Sequence, residues 1–240
     1  MAEEHVHAAA AYAALAETYA ADHEDQTPWN SLYERPAIIS MLPDLKGKRL
    51  LDVGCGSAPI SAWAASQGAE VVGFDLTENM VALAQGRQIP KASFRVADLS
   101  EPLHFLEDHA FDVAVGSLVM HYLRDWVAPL RELRRVLRPD GLLLLSTHHP
   151  SWDIERSATG NYFATELVDD RWTRAGKEYE VRYWRRPLRD MFAAFDTAGF
   201  SVLAFSEPQP VPECRERFPQ EWELLSTRPV FVIFKLAPAT

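Results

Sequence analysis

Two acids, each closing a short apolar run, carry the first readable chemistry. Leu50-Leu51-Asp52-Val53 leads into Gly54-Cys55-Gly56-Ser57-Ala58, and Val71-Val72-Gly73-Phe74 leads into Asp75. Two apolar runs that end in acids, the first followed by a turn through two glycines one residue apart, hold a nucleoside at the edge of a parallel sheet. The glycines let the backbone approach the ligand, and Asp75 can accept both ribose hydroxyls. Asp52 narrows the ligand class. A carboxylate just before the turn repels a pyrophosphate, which seeks bare N–H groups at a helix N-terminus. It suits a positively charged ligand, such as the ammonium and sulfonium of S-adenosylmethionine. Pro59 stands where a dinucleotide fingerprint has its third glycine, and no lysine follows to make a phosphate-cradling loop.

Further along, Ser117-Leu118-Val119-Met120-His121-Tyr122 follows the fourth apolar run, and His148-His149 ends the fifth. An imidazole titrates near neutrality, so His121, His148 and His149 are candidate general bases, against the plainer role of a hydrogen-bonded strand-end histidine. Neighbours on a strand point to opposite faces, so at most one of His148 and His149 is expected to face a pocket. His5-Val6-His7 and the 148–149 pair lack the three or four ligands of a metal site, so no metal is implied. Arg186 could hold an acceptor carboxylate bidentately, whereas Arg185 reads as solvated.

Five segments in order resemble a known family. They are Leu-Asp-Val-Gly-Cys-Gly at 51–56, Gly-Phe-Asp-Leu-Thr at 73–77, Ala-Asp-Leu at 97–99, Phe-Asp-Val-Ala-Val-Gly-Ser at 111–117, and Leu-Arg-Pro-Asp-Gly-Leu-Leu at 137–143. With their spacing, the chain from about Tyr12 to Phe234 resembles the class I S-adenosylmethionine-dependent methyltransferases, in particular the small-molecule group of ubiquinone/menaquinone type. The resemblance implies S-adenosyl-L-methionine as cofactor. It sets Asp52, Gly54, Cys55 and Gly56 around the cofactor's amino-acid end, with Tyr19 and Ser117 near the methionine. It puts Asp75 on the ribose, Leu76 and Met80 against the adenine, Asp98 on the adenine amino group, and the Leu99 N–H on a ring nitrogen. The bland alternatives are a capping role for Asp75 and a core role for Met80. One departure is Ala58, where the family usually has glycine. Alanine suits a helix start, so the turn is expected slightly altered with binding kept, unless Ala58 needs positive φ.

The elements that must position these residues alternate as in a doubly wound sheet. Strands read at about 49–53, 70–74, 93–97, 111–116, 141–147, 200–206 and 229–236, and helices at about 58–67, 78–86, 125–137 and 187–198. The expected fold is an α/β Rossmann-like seven-stranded sheet whose last strand is antiparallel. An N-terminal helical lid is expected over 1–45, with the methyltransferase domain over 46–240. An alanine-rich helix at 8–21 presents Tyr12, Leu15 and Tyr19 on one face, and Trp29, Tyr33 and Arg35 form a polar-aromatic linker. Residues 150–186 are expected as a small antiparallel insert above the carboxyl ends of the strands. Nine aromatics among residues 151–195 exceed the chain's 11% average. They mean either an aromatic-walled acceptor site or a small core. Trp29, Tyr33, Tyr122, Trp152, Tyr162, Tyr183 and Arg186 are the candidate acceptor-binding residues.

Composition excludes some functions. A net charge of −10 argues against a general nucleic-acid binder. With two cysteines, one inside the turn, and no apolar leader or membrane-length run, a reducing cytoplasm and no membrane are expected. The segment Val230-Phe231-Val232-Ile233-Phe234 reads equally as a subunit-pairing strand or a buried one, so the oligomeric state stays open. The expected activity is methyl transfer to O, N or C of a small aromatic or heteroaromatic acceptor. Its rivals are a non-catalytic S-adenosylmethionine-binding or partner-binding protein and a nicotinamide-dependent oxidoreductase, against which Asp52, Pro59 and Asp98 speak.

Overall fold

The computed structural model describes residues 27–174 and 176–239. The 8–21 segment and the Tyr19 assignment lie outside the described residues. A π-helical turn, Trp29–Glu34, runs into α1 (Arg35–Ser40). There follow β1 (Arg49–Val53), α2 (Pro59–Ser66), β2 (Glu70–Asp75), α3 (Glu78–Gly86), β3 (Ala92–Val96) and β4 (Phe111–Gly116). A 3-10 turn at Met120–Tyr122 then precedes α4 (Val127–Val136) and β5 (Leu137–His148). The strand order is β3-β2-β1-β4-β5-β9-β8, where β8 is Phe200–Ser206 and β9 is Phe231–Pro238. Strands β1 to β5 pair in parallel, and β9 runs antiparallel between β5 and β8. This is the Rossmann-like sheet with an antiparallel last strand that the sequence predicts. The apolar segment ending the chain is thereby buried within one sheet.

Side-chain alternation divides the sheet's two faces. Leu50, Val115, Leu144 and Ile233 pack with Ile38 of α1 and with Ile60 and Ala64 of α2. Leu51, Val53, Leu143, Leu145 and Phe234 pack with Leu130 and Leu133 of α4 and with Phe195 of α6 (Leu188–Thr197). Asp52, Ser146 and His148 stand two, two and four residues from Leu50 and Leu144, so they belong to the α1/α2 face at its carboxyl edge.

The insert is a hairpin of β6 (Glu166–Arg174) and β7 (Lys177–Arg185), preceded by α5 (Pro150–Asp153). Tyr179, Val181 and Tyr183 of β7 point inward, while Glu178, Glu180 and Arg182 stay exposed. The reading of Arg185 as solvated is corrected. It is 1% exposed, pairs with Glu166 at 2.6 Å, and donates to the carbonyls of Asn161, Tyr162 and Ala164. A buried guanidinium has five donors to satisfy, and this loop supplies the acceptors. The proline-rich excursion after β8 forms α7 (Glu213–Arg217) and α8 (Pro219–Leu225), whose Cys214 and Leu225 pack on Tyr33 and Phe231. Among the described residues, no helix is long and apolar enough to cross a membrane.

The glycine turn explains its own composition. Gly54 has φ +66°, and a Cβ there would sit 2.6 Å from Val119 Cγ2; Gly56 has φ +54° with open space around it. Ala58 adopts φ 65°, ψ 40°, so the left-handed turn survives without the family's glycine and carries the strain of an alanine. Gly54→Ala is expected to cost on the order of 3 kcal/mol, from strain plus overpacking, and Gly56→Ala about 1 kcal/mol, from strain alone. Equal losses on thermal unfolding would contradict this account.

Candidate functional site

A cavity of about 360 Å³ opens at the carboxyl edge of β1, β4 and β5. The glycine turn, Asp75 and Asp98 line one end, and His121, His148 and the insert line the other. Asp52, 2% exposed, accepts from both the N–H (3.1 Å) and the hydroxyl (2.6 Å) of Ser61 in the first turn of α2. Burial pushes its pKa up to about 6, against the pull of those two bonds. Asp75 ties two turns together: it accepts from the Gly56 N–H and the Thr77 N–H, each at 3.0 Å. Thr77 caps α3 by accepting from the Met80 N–H. Asp75 therefore does cap-like work, yet it lines the cavity, and a carboxylate has further lone pairs for ribose hydroxyls. Gly54, Cys55, Gly56, Leu76, Met80, Leu99 and Ser117 also line the cavity. Asp98 accepts from the Ser100 N–H at 2.9 Å, which fixes its carboxylate at the rim.

At the other end, His121 and His148 stack with ring centroids 4.3 Å apart, and Tyr183 meets both edge-on. His121 is 2% exposed, and neither of its ring nitrogens has a hydrogen-bond partner among the described residues. Burial, then His148 and Arg186, hold its pKa well below the ordinary value, so it stays neutral. His148 Nδ1 lies 3.3 Å from Asp153 Oδ1, which also accepts from the Tyr183 hydroxyl at 3.2 Å. Trp29 and Trp152 tilt together at 6.3 Å, and Tyr122 and Trp172 complete an aromatic wall.

Five assignments need correction. His149 points away from the cavity, as neighbours on a strand must. Its Nδ1 caps α5 at Ser151, and its Nε2 meets Glu207 at 3.1 Å. Tyr33 is fully buried against Phe231 and accepts from the Val230 N–H. Tyr162 sits at the root of the insert, where its hydroxyl accepts from the Leu188 N–H. Arg186, 5% exposed, donates to the carbonyls of Leu123 and Arg124 and stacks on Trp126. Burial lowers its pKa to about 10. Tyr183 does not line the cavity; it stands directly behind the histidines.

Sequence reasoning missed Glu34, which is 1% exposed and accepts from Ser117 (2.9 Å) and Ser146 (2.5 Å), partners 83 and 112 residues away. Nothing local in the sequence signals such a bond. Asp153 was also missed, although it lies only five residues from His148.

The parallel sheet, the left-handed glycine turn at its edge and the acid after β2 define the class I methyltransferase fold. The family model described as a methyltransferase domain matches residues 51–145. A crystal structure of an S-adenosylmethionine-dependent methyltransferase from Mesorhizobium loti is similar with TM-score 0.69 and 27% identity, over 85% of this chain and 97% of that one. A Haemophilus influenzae protein whose name assigns no function is 30% identical over 64% of this chain and 59% of its own length. A ubiquinone biosynthesis O-methyltransferase from Neisseria meningitidis is 36% identical over 43% of this chain and 45% of its own. The chain thus spans roughly half the length of these curated relatives. Fold and motifs make it similar to the class I S-adenosylmethionine-dependent methyltransferases. The lining suits such a cofactor: the buried carboxylates Asp52 and Asp75 and the glycine turn stand beside the apolar side chains of Met80 and Leu99.

The shift at Asp52 has a definite sign. Its folded pKa lies above its value of 3.8 in the unfolded chain. The group's contribution to stability is therefore full below about pH 4 and is lost as pH rises through about 6. A ligand ammonium beside Asp52 would offset that loss. The rise in melting temperature caused by S-adenosylmethionine is expected to grow between about pH 5 and pH 7; a pH-independent rise would refute the pairing.

Proposed function

We propose that the protein transfers a methyl group from S-adenosylmethionine to a small aromatic or heteroaromatic acceptor. The carrying observation is one continuous cavity with a nucleoside-binding turn at one end and a histidine pair under an aromatic wall at the other. Bound S-adenosylmethionine supplies an activated methyl group on a positively charged sulfur. The chain's part is to bring the acceptor into line, exclude water and remove a proton where the acceptor carries one. His148, with Asp153 3.3 Å from its Nδ1, is the proposed proton acceptor. Neutral His121 packs against it and keeps the acceptor end dry. Trp29, Trp152, Tyr122 and Trp172 orient a planar acceptor by stacking. A hydroxyl acceptor is favoured: its proton must leave as the methyl arrives, and the Neisseria relative is named an O-methyltransferase. Fold analogy does not name the acceptor further.

A panel of phenols and hydroxylated heteroaromatics, screened for S-adenosylhomocysteine formation, tests this reading. Asp75→Ala is expected to abolish cofactor binding by calorimetry. His148→Ala is expected to lower kcat about 10²–10⁴-fold with cofactor affinity retained. Tight cofactor binding without turnover of any acceptor would support the non-catalytic binding protein instead. Full activity in His148→Ala would remove the base from the mechanism.

A further inference from the structure

Glu34 is a buried carboxylate to which no role has yet been assigned. It comes from the π-helical turn before α1, is 1% exposed, and lines the same cavity as the glycine turn. Ser117, after β4, and Ser146, in β5, both donate to its Oε1. Ser146 and His148 are two residues apart on β5 and so share a face about 7 Å apart along the strand. Val115 pairs with Asp52 in β1 and with Leu144 in β5, so Ser117 and Ser146 stand one step beyond the Asp52 row on the same face. Glu34 is therefore held between the carboxylate of the amino-acid end and the histidines of the acceptor end. That is the stretch of the cavity where the two ligands must meet.

The charge there is lopsided. Glu34, Asp52 and Asp75 are all at most 9% exposed and line one cavity. Arg35 lies close enough to favour the ionised forms of Glu34 and Asp52. The walls hold a further group awaiting a ligand, His121, whose two ring nitrogens are buried and unpartnered among the described residues. Buried carboxylates are costly unless a cation compensates them. The methyl donor brings an ammonium, a carboxylate and a sulfonium, one net positive charge. The demethylated product keeps the first two and has a neutral thioether. Only the donor supplies the extra cation.

We propose that Glu34 is a charge-sensing binding residue for the sulfonium end of the cofactor, so that the site holds the methyl donor in preference to its demethylated product. The inference rests on S-adenosylmethionine being the ligand of this cavity. Its consequence is directional: transfer of the methyl group removes the positive charge facing Glu34, and the product loosens without any conformational trigger.

Calorimetric titration of S-adenosylmethionine and S-adenosylhomocysteine into the full chain tests this directly. The wild-type protein is expected to bind the donor about tenfold more tightly than the product, the ratio given by about 1.4 kcal/mol. In Glu34→Gln, which keeps the shape and one acceptor oxygen, donor affinity is expected to fall to that of the product, with product affinity within threefold of wild type. Glu155→Gln removes an exposed carboxylate outside the cavity, paired with Arg228, and is expected to retain the preference. A wild-type protein that binds product as tightly as donor would overturn the proposal, whether or not the variant folds. So would a Glu34→Gln protein that loses both ligands equally, since a merely structural carboxylate would act that way. Binding of neither ligand to wild type would instead overturn the cofactor assignment itself.

Discussion

Burying carboxylates at the rim of a sheet is the constraint around which this protein is built. Glu34, Asp52 and Asp75 all lie at the carboxyl edge, nearly out of water. Each is kept there by donors from a different part of the chain. Ser61 and the start of α2 serve Asp52, the two turns after β1 and β2 serve Asp75, and the ends of β4 and β5 serve Glu34. Burial still raises the pKa of all three. On the proposed reading, a cationic ligand adds to the compensation that these donors supply. Stability is given up at the site so that binding can recover it, a common arrangement where pKa values are perturbed.

The rest of the fold divides the work. The parallel strands and their short turns set the nucleoside end, where the backbone itself makes much of the surface. The acceptor end is assembled from side chains on distant segments: Trp29 from the entry turn, His121 and Tyr122 after β4, His148 and Trp152 around the end of β5, and Trp172 from the insert. Behind His148, Asp153 lies 3.3 Å from its Nδ1 and Tyr183 packs edge-on against its ring.

That division also explains what could be read from the sequence. Alternating apolar runs, the Gly54/Gly56 turn and the acids at 52 and 75 are local patterns, and the structure reproduces the strands and helices within a few residues. Direction of a strand-end side chain is also local, so one of the two adjacent histidines faces the cavity. By contrast, Tyr33, Tyr162 and Arg186 have the residue types of a binding pocket and are used instead to join segments. Composition cannot distinguish an aromatic that meets a ligand from one that meets Phe231. Nor can it find Glu34, whose partners are set by tertiary packing alone. Ala58 is the instructive intermediate: its departure from glycine was visible, but its left-handed backbone follows from the turn closing over the site.

The anchoring of the insert has one more consequence. Arg185 gathers Glu166 and the carbonyls of residues 161, 162 and 164 into a single knot at the hairpin's base. The far end of the hairpin, near residue 176, is exposed. A knot of this kind makes the roof over the acceptor a module with a fixed root and a variable tip. Selection can lengthen, shorten or recolour the tip without disturbing the buried carboxylates at the strand ends. Diversification of substrate range is thereby uncoupled from the chemistry beneath it.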